Sequence, residues 1–263
     1  CLRALEKAPI VGLGWMRREL AHFQLENYDY AGALEAFQAS ARSTDPPSWR
    51  SHAFRAETYL FMGKPQKALR EFLVAVAVSP PQEKGDALAW MGELCLWMGR
   101  YRDALTLLEQ AIPLGGLYAY CWKGAVKVKL GRAREALADL DLGLKFLPRD
   151  REAYLWRGEA KRLLGDHEGA LEDLSETPLK GHSRSRWLWH DFNRALVHDA
   201  MGNERGLRDD FDAIPEEVIR HVMRKIGMNP RRVLDRREMT RILAAGLRLA
   251  RGYRRPENHG QAA

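Results

Sequence analysis

Tyr118-Ala-Tyr-Cys-Trp122-Lys-Gly124, then Leu130-Gly131-Arg-Ala-Arg-Glu-Ala136-Leu137, then Leu140, Gly143 and Leu147-Pro148 decide the fold. The stretch reads as one helix, a glycine stop, a second helix and a proline. It recurs along the chain. Trp156-Arg-Gly158, Leu164-Gly165 and Gly169-Ala170-Leu171 fall at matching offsets, as do Trp90-Met-Gly92, Met98-Gly99-Arg-Tyr101 and Asp103-Ala104-Leu105. Fainter copies carry Phe54-Arg-Ala56, Met62-Gly63 and Lys67-Ala68-Leu69, then Asn193-Arg-Ala195, Met201-Gly202 and Gly206-Leu207. Internal repetition of this kind outranks every other sequence feature, because it makes one helix pair the unit of structure.

Aligned on the small residue of the second helix, the copies are marked by Ala33, Ala68, Ala104, Ala136, Ala170 and Leu207, spaced 35, 36, 32, 34 and 37 apart. Gly63, Gly99, Gly131, Gly165 and Gly202 each follow an apolar run and precede a polar turn, the place where a helix closes on a residue at positive φ. Seven residues earlier stand Gly92, Gly124 and Gly158, with Ala56 and Ala195 in the fainter copies. Small residues there predict a close approach of the second helix at Ala68, Ala104, Ala136 and Ala170. A pair of this kind cannot bury its apolar face alone, so neighbouring pairs must stack.

A period of ~34 with this order of bulky, small, glycine and alanine positions resembles the tetratricopeptide repeat. The resemblance covers residues 1 to 213. Thr177 in place of the late Ala, Leu207 in place of the mid-repeat Ala and Asn27-Tyr28 in place of the turn glycine depart from it. It implies an all-α fold, a right-handed superhelical solenoid of antiparallel helix pairs whose first helices line a concave groove that binds a peptide or partner domain. Helix pairs are expected at about 14–27 with 30–42, 47–62 with 65–79, 86–98 with 101–112, 117–130 with 133–146, 151–164 with 167–176, and 186–201 with 204–213. Pro47 and Pro65 suit first turns, Asp166 suits an N-cap, and 181–186 reads as a loop.

The chain opens at Cys1, and Leu5-Glu-Lys-Ala8-Pro9 matches the end of a second helix. The expectation is half a repeat followed by six pairs, a fragment of a longer protein that begins mid-repeat. A lipid-modified mature Cys1 is the alternative. Cys1, Cys95 and Cys121 show no paired spacing, which favours reduced, buried thiols and a cytoplasmic location over a disulfide or metal site. No run of ~18 apolar residues marks a transmembrane helix.

Numbering each pair so that its glycine stop is position 15 places positions 2, 6, 9 and 13 of the first helix along one face, at 100° per residue. Position 6 is Phe54, Trp90, Trp122 and Trp156, and position 13 gives Phe61 and Trp97. Position 9 is Glu57, Glu93 and Glu159, broken by Ala125; Glu152 and Asp86 occupy position 2, and Arg50, Tyr118 and Trp189 lie on the same face. With Arg18, His22 and Arg162 these residues form the expected partner-binding groove, of mixed sign with an acidic middle that favours a basic or amphipathic peptide. Two readings of the rings stand side by side. They fill the gaps between neighbouring first helices, or part of the stripe stays exposed as a platform.

From Ile214 the repeat stops, and two amphipathic helices follow, one from Pro215 to Gly227 and one from about Arg232 to Tyr253, expected to cap the open end. Residues after Arg254 read as disordered. The net charge of +7 sits here: residues 214–263 hold 12 Lys and Arg against 5 Asp and Glu, and the remainder is balanced. This local excess keeps open a nucleic-acid-binding adaptor role through the Arg-rich helix, contact with an anionic membrane surface or contact with an acidic partner domain, though no nucleic-acid motif accompanies it. A docking or regulatory module of a larger bacterial enzyme, such as a transferase, is a further alternative. No catalytic constellation, cofactor loop or metal motif is present in the sequence. His190 and His198 read as surface histidines.

Overall fold

The computed structural model describes residues 29–42, 48–176, 184–229 and 234–250, and among them it is helical with no strand. Thirteen α-helices run in order: α1 Tyr30–Arg42, α2 Trp49–Phe61, α3 Pro65–Val78, α4 Lys84–Trp97, α5 Tyr101–Ala111, α6 Ala119–Lys129, α7 Ala133–Phe146, α8 Arg151–Leu164, α9 His167–Ser175, α10 Arg184–Ala200, α11 Glu204–Ala213, α12 Glu216–Lys225 and α13 Arg236–Ala250. These are the expected pairs within two or three residues. The expected first helix at 14–27, Cys1 and the half repeat, Pro47, and the tail after Arg254 lie outside the described residues.

The glycine stops do what their positions require. Gly63, Gly99, Gly131, Gly165 and Gly202 all take positive φ, between 67° and 84°. At Gly99 the glycine N–H donates to Leu96 O (2.9 Å) and Arg100 N–H to Cys95 O (2.8 Å), which satisfies carbonyls that the ended helix leaves open. Helix starts are capped as firmly: Asp150 Oδ1 accepts from Glu152 N (3.1 Å), Asp166 Oδ1 from Gly169 N (3.0 Å) and Asn203 Oδ1 from Gly206 N (2.9 Å). Pro65 occupies the first turn of α3, where its missing N–H costs nothing. Two expectations are corrected. Arg184 to Arg186, read as loop, already belong to α10. The last helix starts at Arg236, because Asp235 and Glu238 form a reciprocal capping box there, with Glu238 N donating to Asp235 Oδ1 (2.8 Å) and Asp235 N to Glu238 Oε2 (3.2 Å).

The described residues form two compact units, the first ending at Ala119 and the second beginning at Tyr120. In the first unit α2 packs on α3 and α4 on α5, around Trp49, Ala53, Ala56, Ala68, Phe72, Ala75, Ala87, Met91 and Leu94. In the second, α8 packs on α7 and α9, α10 on α9 and α11, and α13 on α10 and α12.

The close approach within a pair is real, but its partner differs from the expected one. A Cβ on Gly124 would lie 2.5 Å from Leu140 Cγ, and one on Gly92 would lie 2.6 Å from Leu108 Cγ. The second helix thus inserts the leucine four residues beyond the marker alanine, while the alanine itself meets the first helix through its backbone: Ala104 O and Ala170 O lie 3.4 and 3.3 Å from the Cβ positions of Gly92 and Gly158.

A charged contact accompanies the apolar one. Three residues after the marker stands an acid, Glu71, Asp139, Asp173 or Asp210; Asp139, Asp173 and Asp210 face bases at positions 7 and 11 of the first helix, whereas Glu71 faces Arg55 at position 7 and His52 at position 4. Arg55 lies 2.9 Å from Glu71, and Lys127 and Lys123 lie 2.5 and 3.3 Å from Asp139. Arg194 Nε donates to Asp210 at 2.9 Å, with His198 at 3.6 Å from the same carboxylate. The α4–α5 pair replaces the whole set with Met91, Cys95 and Leu107, which join the apolar core.

Candidate functional site

In the first unit the expected face comes together on α2 and α4. Phe54, Glu57, Phe61, Trp90, Glu93 and Trp97 are all half-buried, and Tyr118 is exposed. The position-6 rings interlock: Phe54 stacks on Phe37 of α1 (5.1 Å between centroids, 13° between planes) and meets Trp90 edge-on (4.7 Å, 83°). Trp90 also meets Trp49 and Phe72 edge-on. Edge-to-face contacts at these distances are the favoured geometry for aromatic pairs, so this row acts as glue between successive first helices.

One turn on, the face is more polar. Trp97 Nε1 donates to Glu93 Oε1 (3.1 Å), and the same four-residue spacing sets Glu57 beside Phe61, whose ring stacks on Tyr30 at 6.4 Å. At the N-terminal end of the face, Trp49 Nε1 donates to Glu83 Oε2 (2.7 Å), Arg50 pairs with the same carboxylate, and the Arg50 guanidinium lies 4.6 Å from the Trp49 ring centroid. The Trp49 hydrogen bond, with help from Arg50, holds the Glu83 carboxyl below its usual range. Partial burial pushes the nearby Asp86 carboxyl up against the opposing pull of Arg50.

In the second unit the same positions are used for packing. Trp122 is buried and Trp156 is fully enclosed, with Lys129 Nζ 5.5 Å from its ring centroid. Glu159 has no exposed surface; Arg162 donates to it through Nε (3.3 Å) and Nη2 (3.2 Å), and also donates to Asn193 Oδ1 of α10 (3.0 Å). Burial lowers the pKa of this guanidinium. Arg18 and His22 lie outside the described residues, and the side chain of Trp189 does too.

His190 is not a surface residue. It is 3% exposed, its Nε2 lies 2.8 Å from Leu174 O and its Nδ1 lies 3.0 Å from Asp191 Oδ1, so it ties α10 to α9. No cluster of three or more potential metal ligands occurs among the described residues. Cys95 and Cys121 are both buried and unbridged.

The charged pairs between helices are what sequence reading missed. Their signal was available: an acid recurs three residues after four of the six markers, opposite a base seven or eleven residues into the preceding helix.

No family model and no curated protein matches the chain. Solved structures do. The structure described as functional characterization of Pseudomonas aeruginosa pilF is 15% identical, with a TM-score of 0.55 over 76% of this chain and 90% of that one. PilW, described as a widely conserved type IV pilus biogenesis factor, is 18% identical, with a TM-score of 0.57 over 89% of this chain and 99% of that one. A tetratricopeptide repeat protein from Parabacteroides merdae is 16% identical, with a TM-score of 0.57 over 93% and 89%.

Proposed function

We propose that this chain, which has the tetratricopeptide-repeat fold, is a protein–protein interaction scaffold, and that a basic or amphipathic peptide of its partner docks on the α2–α4 face of the first unit. One observation carries the reading: two successive first helices present the same four-residue pairing of a half-buried acid with a half-buried ring, Glu57 with Phe61 and Glu93 with Trp97. Aromatic edges beside carboxylates suit a ligand that offers both apolar surface and Lys or Arg. Repetition of the arrangement at the repeat spacing suits an extended or helical peptide better than a small molecule.

The role is binding rather than catalysis, and the compartment is the cytoplasm, where buried reduced thiols such as Cys95 and Cys121 are at home. Residues 1–213 form the repeat array, and α12 and α13 form its basic cap. No helix among the described residues is long and apolar enough to cross a membrane.

The test is a panel of fluorescent helical peptides of graded basic charge, titrated against the full chain. Peptides rich in Lys or Arg and apolar residues should bind, and acidic ones should not. Glu57→Lys with Glu93→Lys should abolish that binding while the melting temperature stays within a few degrees, and Glu93→Gln, which keeps an acceptor for Trp97, should weaken it less. Full-strength binding by the double variant would remove this face as the docking site.

A further inference from the structure

The bases that face a neighbouring helix in the second unit meet carboxylates: Arg157 with Asp173, Arg194 with Asp210, Arg236 of α13 with Asp199 of α10 at 2.7 Å. The outer face of α13 is different. Arg237 and Arg241 are exposed, one helical turn apart, and neither meets a carboxylate among the described residues. Arg248 follows in the sequence seven residues after Arg241, on the same heptad register, and Arg224 is exposed near the end of the adjoining α12. The apolar side of α13, Met239, Ile242, Leu243, Ala245 and Leu247, is buried. The helix therefore offers two exposed arginines, Arg237 and Arg241, about 6 Å apart along its axis, with its hydrophobic side already occupied.

We infer that this outer face of α13 docks the chain on an anionic membrane surface through lipid phosphate groups, by electrostatics alone and without insertion. Clusters of four to eight Lys or Arg on an amphipathic helix are the size that binds anionic headgroups, at roughly 1 kcal/mol each. Arginine's planar fork also pairs phosphate in a bidentate way. Single-stranded nucleic acid fits less well: from Ile214 to Ala250 there is no Phe, Tyr or Trp on which a base would stack. With its leucines packed inside, the helix makes contact only as strong as its charges, so binding is reversible and sensitive to salt. This site is separate from the α2–α4 face and does not depend on it.

Co-sedimentation of the full chain with phosphatidylcholine vesicles, with and without phosphatidylglycerol, tests the inference. Binding is expected only with phosphatidylglycerol, falling as salt is raised. Arg237→Gln with Arg241→Gln should lower the affinity about 30-fold, two steps of ~1 kcal/mol. Both side chains are exposed, so the circular dichroism spectrum and the melting temperature should not move. Equal binding to neutral vesicles, unchanged binding by the double variant, or capture of duplex DNA or RNA without any binding to vesicles would each overturn it.

Discussion

Arg157 of α8 grips Asp173 of α9 with both arms of its guanidinium, Nε at 2.9 Å and Nη2 at 2.6 Å, while Nη1 reaches back 2.8 Å to Asp141 of α7. One side chain thus joins the two helices of its own repeat and the last helix of the repeat before. The Asp173 hydrogen bond dominates, and together with Asp141 it raises the Arg157 pKa against the opposing effect of burial, so the cation is locked on at every working pH. The Asp173 side chain is only 4% exposed, and Lys161 lies 2.9 Å away on its other side.

Removing one partner strands the other in a poorly solvated place. Asp173→Ala is expected to cost about 3–5 kcal/mol, whereas Arg157→Met together with Asp173→Leu should cost far less, because an apolar pair needs no desolvation. Urea unfolding of the two variants measures the difference. The α4–α5 pair already contains the natural version of that swap in Met91 and Leu107.

Gly124 leaves room for Leu140, and no side chain fits between them. Gly124→Leu should overpack the contact and cost about 1–3 kcal/mol, read as a fall in the denaturation midpoint. Adding Leu140→Ala should recover part of the loss, since the inserted atoms would then fill the vacated space.

Most of the fold was legible because its signals are local. A positive-φ glycine at Gly131 or Gly165 is required by the backbone of the turn itself, and Asp166 caps α9 through its own chain neighbours. The candidate face was legible only as a pattern. Spacing places Trp90 and Trp156 on one stripe, but exposure depends on what the next pair brings: Trp90 stays half-buried beside Phe54, while Trp156 is enclosed. The same holds for His190, polar in sequence and buried in place, and for the Asp173 clasp, whose partner Arg157 lies sixteen residues away on another helix.

Cys95 should resist alkylation. Burial pushes its thiol up to about 11, against the pull of Arg100, so at pH 7 to 8 almost no thiolate forms in the folded chain. Iodoacetamide treatment followed by mass spectrometry should find Cys95 unmodified in native protein and modified after unfolding. Labelling at equal rates in both states would contradict its burial.

Glu83 provides an acid-side test. Its folded pKa lies below the ordinary 4.5, so the folded state favours the carboxylate; its stabilising contribution is fully present above that value and is lost as pH falls through the lowered folded pKa. The gap in melting temperature between the parent and Glu83→Gln should hold from neutral pH to about pH 5 and then close on further acidification. Trp49→Phe, which removes the indole N–H that donates to Glu83, should narrow the gap across the whole range.

Gly246 fixes the seat of the final helix. A Cβ there would lie 2.4 Å from Cζ of Phe192, with two further ring atoms within 3.0 Å, so α13 lies on α10 as closely as backbone and ring allow. Phe192 is itself 1% exposed, so its ring can yield only by displacing the side chains packed round it. Gly246→Ala improves helix propensity by about 1 kcal/mol in an exposed helix, yet here it should destabilise, because overpacking of about 1–3 kcal/mol outweighs the gain. Hydrogen exchange should show faster opening of α13 than of α8 in this variant. Phe192→Leu in the same background should restore protection, since a smaller side chain gives the methyl group its space; failure to do so would mean that the helix is held chiefly by Arg236 and Thr240 on Asp199.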